Sequence, residues 1–327
     1  MPFGQATIRA RVLAGILALG AGIPAGAGYA QDAAPDAGAQ DSLERARQSG
    51  RLRVGYANEA PFAYMDSRAG KLTGEAPEIA RKVLARLGID EVEGVLTEFG
   101  ALIPGLLAGR FDMIAAGMYV LPERCRQIAF SNPTYGVGDG FLQRTDNPLQ
   151  LRSYAEAAAD PGARVGVVVG AVQNDYAARA GVPAARVVVF PDVVSAVEGV
   201  MAGRADVYAA TALTINYVLT KVPDWDIEKV ARFVQPTEAG QSVRGYGAFG
   251  FRKQDEALRQ AFDRELAGFI GSPEHQALVA PFGFTQGELP GDVTAAQLCG
   301  ASDEAPDAQA PAGGLEEDGE AAGNTAP

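Results

Sequence analysis

The segment "LLAGRFDMIAAGM" at residues 106–118 returns almost word for word as "VMAGRADVYAATA" at 200–212. Each copy gives a helix end, an Ala-Gly turn, an aspartate and an apolar strand. A solenoid repeats about every 20–50 residues and at least about three times, so this longer, twofold repeat is of another kind. It fits two similar α/β lobes, each making the element once.

The surrounding chain supports that reading. "RLRVGYA" alternates as a strand. "DSLERARQSG" before it is a short helix with Asp41 or Ser42 as cap and Gly50 past its end. "NEAPFAYMDSRAGKLTGEA" is a turn-rich loop, and "PEIARKVLARLG" a helix with Pro77 in its first turn and Gly88 at its end. The strand "VEGVLTEF", the helix "ALIPGLLAG" with Gly109 as left-handed cap, and the strand "FDMIAAGMY" complete a β-α-β-α-β run. After "FSNPTYGVGDGFLQRTDNP" the alternation restarts with "RVGVVVG", "VQNDYAARAG", "RVVVF", "VVSAVEGVMAG" and "ADVYAATA". Ligands of open parallel sheets sit beyond the carboxyl ends of the strands. Here those ends carry residues 58–62, 98–99 and 117–124 in the first half, and 170–173 and 210–214 in the second. Asp112 and Asp206, at the opposite ends, read as turn and cap residues. His275, with no nucleophile nearby, reads as a surface residue.

Composition bounds the rest. The first thirty residues carry Arg9 and Arg11, the apolar run "VLAGILALGAGI" and small residues ending "AGYA". This is the order of a secretory signal cleaved near Ala30. No cysteine stands there to take a lipid, so the expected product is free in the periplasm. Residues 301–327 hold seven of the acids behind the net charge of −12 and almost nothing apolar, and read as a disordered tail. No basic nucleic-acid footprint is present. Cys125 and Cys299 point to a disulfide in an oxidising compartment, with two buried free thiols as the alternative. One histidine and two cysteines give no metal pattern, and nothing suggests another cofactor.

The order "NEAPFAY", "GKLTGEAPEIARKVLARLG", "FGALIPGLLAGRFDMIAAGMYVLPERCRQIAFSNPTY", "VGVVVGA" and "AGRADVYAAT" resembles the extracellular solute-binding proteins of polar amino-acid ABC importers. The resemblance covers about residues 43–290, and "GYANEAPF", "TEFG", "GMY", "PERC" and "FSNPTY" bring it nearest the ectoine- and hydroxyectoine-binding members. It implies a two-lobed clamp, type II, each lobe a mostly parallel sheet flanked by helices, joined by a two-strand hinge. Lobe 1 is then 43–138 plus 248–300, lobe 2 is 139–243, and the second hinge crossing is 244–247. It implies a monomer, a small zwitterionic solute, an ABC permease as partner and no catalysis.

The resemblance also assigns roles. Arg124 clamps the ligand carboxylate, Phe62, Phe99 and Tyr119 box a delocalised cation, and Glu59 takes its ring N–H groups. Gly117 belongs to the same mouth. In lobe 2, backbone groups of Gly170, Val172 and Gln173 face the ligand. Thr211 stands where α-amino-acid binders commonly place an aspartate, so the second half is expected to offer amides and hydroxyls and no negative charge. Against each role stands a plainer one: aromatics as core, Arg124 as an exposed or ion-paired helix opener, Glu59 as a solvated loop acid. "LPERC" has Leu121 where the family usually has threonine, which weakens the helix start. Another amino acid or compatible solute, a dehydratase on the same fold, and a sensor module remain as alternatives.

Overall fold

The computed structural model of the chain describes residues 42–238 and 241–300. The secretory signal, the Asp41 cap and the acidic tail lie outside the described residues.

The elements run α1 (Ser42–Ser49), β1 (Arg51–Tyr56), β2 (Tyr64–Asp66), β3 (Lys71–Thr73), α2 (Glu75–Arg86), β4 (Glu91–Leu96), α3 (Leu102–Leu107), β5 (Met113–Tyr119), α4 (Pro122–Cys125), β6 (Ala129–Phe130) and β7 (Tyr135–Val137). There follow β8 (Asp139–Arg144), α5 (Tyr154–Ala159), β9 (Val165–Val168), α6 (Gln173–Arg179), β10 (Val187–Phe190), α7 (Val193–Met201), β11 (Val207–Thr211), α8 (Ala212–Lys221) and β12 (Ile227–Lys229). A hairpin of β13 (Thr237–Glu238) and β14 (Gln241–Ser242), then β15 (Gly245–Phe251), α9 (Glu256–Ala267), α10 (Pro273–Val279) and α11 (Ala295–Leu298) complete the described chain. None of the described helices is long and apolar enough to cross a membrane.

Two sheets result. The first is ordered β4-β1-β5-β15-β6, with β7 also on β15; the second is β10-β9-β11-β8-β12. In each, three parallel strands are followed by an antiparallel one: β15 on β5 and β8 on β11. The chain passes from first sheet to second through Gly138 alone, between β7 and β8, and returns into β15. At the return, Gly245 pairs with Val137, so the outgoing and returning segments are hydrogen-bonded neighbours.

Local chemistry explains the elements. α2 presents Ile79, Val83 and Leu84 on one face, all fully buried, each contributing about 1.5–3 kcal/mol by leaving water. It ends where Gly88 takes a positive φ of 80°. α7 starts at Asp192, whose carboxylate accepts the Ser195 N–H at 2.7 Å. The segment 58–76, expected as loop, contains the antiparallel β2–β3 pair.

The repeated aspartates are more than turn and cap residues. Asp112 accepts from the Arg53 backbone N–H at 3.4 Å and from its Nε at 3.1 Å. Asp206 accepts from the Arg164 N–H at 2.8 Å and Nε at 3.1 Å. In return, both aspartate N–H groups donate to the carbonyl of that same arginine at 2.9 Å. Each lobe thus bolts the start of the second and third strands of its sheet, β1–β5 or β9–β11, with one Asp–Arg clip. The repeated words encode this clip.

Two further expectations are corrected. His275 is 2 % exposed rather than on the surface. Its Nδ1 accepts the Gly271 N–H at 3.2 Å and its ring meets Phe269 edge-on. Leu121 gives no side-chain cap, yet α4 forms with Pro122 in its first turn, where the missing N–H has no helical partner to lose. Cys125 at its end is disulfide-bonded to Cys299 beyond α11, closing the alternative of free thiols.

Candidate functional site

The strand ends of both sheets converge on one small cavity of about 30 Å³. From the first lobe it is lined by Glu59, Phe62, Phe99, Gly117, Tyr119 and Arg124; from the second by Ala171, Val172, Gln173 and Thr211. Nine of the ten residues singled out in the sequence therefore meet here. The tenth, Gly170, sits at the edge: its carbonyl accepts from Arg124 Nη2 at 3.0 Å.

Arg124 is neither exposed nor ion-paired. It is 9 % exposed, its Nη1 donates to the Tyr119 carbonyl at 2.9 Å, and its guanidinium lies 5.7 Å from the centre of the Phe99 ring. Burial lowers its pKa, but an arginine keeps its charge throughout the accessible range. The result is a fixed cation at the cleft with its carbonyl contacts supplied by both lobes.

The aromatic side of the cleft is built against glycine. Gly117 has a φ of 65°, and a Cβ there would fall 2.7 Å from the Phe62 ring. Gly245, on returning strand β15, leaves room for the Tyr119 ring, which a Cβ would strike at 1.9 Å. Behind Phe62 stands Tyr135, ring centres 5.0 Å apart, whose hydroxyl donates to the Gly117 carbonyl at 2.7 Å. Tyr135 is on β7, so the ring stack reaches from the cleft to the crossing segment. The Tyr119 hydroxyl is buried with no hydrogen-bond partner.

Glu59 faces Thr214 across the lobes: the threonine hydroxyl donates to its Oε1 at 3.3 Å. Thr214 in turn receives the Thr211 hydroxyl at 2.9 Å, while its own N–H caps onto Thr211 Oγ1 at 3.0 Å. Burial pushes the Glu59 carboxyl up to about 7, the Thr214 bond opposing it. Thr214 falls in the strand-end stretch 210–214 but has no ligand role in the sequence reading; its place three residues after Thr211, at the start of a helix, is the available signal.

The second-lobe lining carries no acid, but a buried one lies close behind it. Asp139, the first residue of β8, is 4 % exposed and lies opposite Thr211 in the β8–β11 register. It accepts from Tyr154 Oη at 2.7 Å and from Gln173 Nε2 at 2.9 Å. Burial raises it to about 7, against these two bonds. It stands one layer behind the cleft wall.

In this form the lobes are shut. A volume of about 30 Å³ holds about one water, and the Arg124–Gly170 and Glu59–Thr214 bonds join the lobes across it. A groove of about 400 Å³ lies beside the cleft and shares Glu59 and Phe99 with it. Among the described residues no group of His, Cys, Asp and Glu is placed to hold a metal.

The family model of the bacterial extracellular solute-binding proteins, family 3, matches residues 52–285, and the chain belongs to that family. It is 34 % identical over 262 residues to a probable amino-acid ABC transporter periplasmic-binding protein of Sinorhizobium fredii, covering 79 % of this chain and 86 % of that one. The structure of EhuB in complex with hydroxyectoine is similar with a TM-score of 0.72 and 38 % identity, over 80 % of this chain and 99 % of EhuB. An ancestral amino acid-binding protein, described as a precursor of cyclohexadienyl dehydratase, matches with a TM-score of 0.63 and 25 % identity over 73 % of this chain and 98 % of its own. The chain is thus a two-lobed solute-binding protein of the ABC-importer type.

Proposed function

We propose that this protein captures ectoine or hydroxyectoine between its lobes in the periplasm, as a monomer released from its secretory signal, and delivers it to an ABC permease. The observation that carries the reading is the meeting of one buried guanidinium, one acid and three rings on a single wall of the cleft. Ectoine is a cyclic amidinium bearing a carboxylate, and each of its groups has a counterpart there. Arg124 grips the carboxylate with the planar fork that suits it. Phe62, Phe99 and Tyr119 surround the delocalised cation, each contact contributing about 0.5–2 kcal/mol once water is excluded. Glu59 accepts the ring N–H groups, and the amide of Gln173, the hydroxyl of Thr211 and the backbone of Gly170 and Val172 close over the other face. The likeness to EhuB, whose structure holds hydroxyectoine, supports the same choice.

Closure bends at Gly138 and at 244–247, and the ligand drives it only to the extent that its contacts are stronger in the shut form. The protein is read as a carrier and not an enzyme, because the cleft lining presents one carboxylate, Glu59, with a threonine hydroxyl facing it from the other lobe.

Calorimetry with ectoine, hydroxyectoine, glycine betaine, proline, glutamine, histidine and arginine tests the reading. Tight binding confined to the two ectoines is expected. Tight binding of an α-amino acid with none of ectoine, or turnover of prephenate or arogenate, contradicts it.

A further inference from the structure

Asp139 is a buried carboxylate, one residue behind the cleft lining, that the ligand contacts above leave unused. Its backbone is pinned on both sides by one side chain: its N–H donates to Gln235 Oε1 at 2.8 Å and its carbonyl accepts from Gln235 Nε2 at 2.8 Å. Its two carboxylate oxygens have separate donors, Tyr154 Oη on Oδ2 and Gln173 Nε2 on Oδ1. Gln173 is itself 4 % exposed and lines the cleft.

Above about pH 7 the Asp139 carboxyl is ionised and can only accept. Of the two ends of the Gln173 amide, therefore, only the NH2 end can face Asp139; a flipped amide would set oxygen against oxygen in a buried place. The amide oxygen is the end left for the cleft. We propose that Asp139 is a positioning residue that locks the Gln173 side chain with its oxygen toward the ligand, so that the second lobe offers an acceptor to a solute presenting an N–H group there. The negative charge behind the amide polarises it in the same sense. This deepens the ligand reading above and rests on the cleft being the solute site.

The test is a double-mutant cycle by calorimetry at pH 8.5, where the Asp139 carboxyl is ionised, on the wild type, D139N, Q173A and D139N/Q173A. Hydroxyectoine is the titrant, or whichever solute of the panel the wild type binds. If Asp139 acts through Gln173, D139N weakens binding about tenfold or more in the wild-type background and less than about twofold in the Q173A background. An equal loss in both backgrounds, the mark of a merely structural role, overturns the proposal, as does no loss at all. Failure of the wild type to bind either ectoine instead counts against the proposed ligand, and the cycle still decides the role of Asp139 with the solute that does bind. Should D139N not fold, a crystal structure of the wild-type complex decides: a ligand nitrogen donating to Gln173 Oε1 supports the proposal, and the absence of a ligand donor at Oε1 overturns it.

Discussion

The guanidinium of Arg124, carried on α4 of the first lobe, donates to the carbonyl of Gly170 on the second, 3.0 Å away. One side chain thus serves as proposed ligand clamp and as a direct tie between the lobes. Arg124→Ala is expected to weaken ectoine binding by about 2–5 kcal/mol, roughly thirtyfold or more. Arg124→Lys recovers little of it, since an ammonium cannot reach the two directions the fork spans. Calorimetry measures the affinity. Trp225, the only tryptophan of the chain, reports closure: it lies in a groove lined from both lobes, with Tyr64 and Tyr217. Its emission is expected to shift on ligand addition in the wild type and not in Arg124→Ala.

Glu59 sets a pH dependence. Its carboxyl, buried and raised to about 7 in the shut form, must be ionised to hold a cationic ring. Ligand binding therefore favours proton release, so affinity rises with pH through about 7 and levels above it, by at most about tenfold per pH unit for one proton. Titrations from pH 5.5 to 8.5 check this. In Glu59→Gln affinity is low throughout and the slope is reduced to what Asp139, itself raised to about 7, contributes.

The paired Asp–Arg clips separate stability from binding. Asp206→Asn is expected to cost about 1–2 kcal/mol, discounted because Arg164 is partly exposed. Asp112→Asn costs more, because Asp112 also pairs with Arg252, a buried arginine that further donates to the Phe111 carbonyl at 2.8 Å. Urea unfolding gives the order Asp112→Asn below Asp206→Asn below wild type, while ligand affinity stays within about twofold for both.

Glu75 gives a second pH signature, in the empty protein. It is 1 % exposed at the start of α2, accepts from Thr134 Oγ1 at 2.6 Å, and burial raises it to about 8. A raised carboxyl contributes stability that is complete below the unfolded value near 4.5 and is lost as pH climbs to about 8. Glu75→Gln, which mimics the protonated form, is therefore expected to raise Tm at pH 8 and to change it little at pH 4.5. A Tm lower than wild type at pH 8 contradicts this.

The Cys125–Cys299 disulfide closes a sequence separation of 174 residues and fixes α11 beside the helix that bears Arg124. Replacing both cysteines by serine is expected to lower unfolding free energy by about 2–5 kcal/mol in the chain-entropy account. Denaturant titration of the oxidised and substituted proteins measures it.

Much of this was legible because a strand end is both a pattern break and a place in space. Once the repeat around Asp112 and Asp206 implied two lobes, the residues following each strand had to meet, and Phe62, Phe99, Tyr119, Arg124, Gln173 and Thr211 do. What escaped depends on partners distant in sequence. Asp139 reads as a glycine-flanked turn acid in "VGDG" until β8 is laid antiparallel against β11 and meets Thr211. His275 sits in a polar-looking "SPEHQ", yet α10 packs it against Phe269. The β2–β3 pair hides among turn residues because only three residues on each side are extended. Asp112 looked like a turn residue because its arginine lies 59 positions away.

The most direct measurement is a crystal structure of the protein with hydroxyectoine. The account predicts the ligand carboxylate on Arg124, its ring enclosed by Phe62, Phe99 and Tyr119, and its ring nitrogens within hydrogen-bond reach of Glu59. A ligand seated elsewhere, or in the cleft with its carboxylate turned from Arg124, contradicts it.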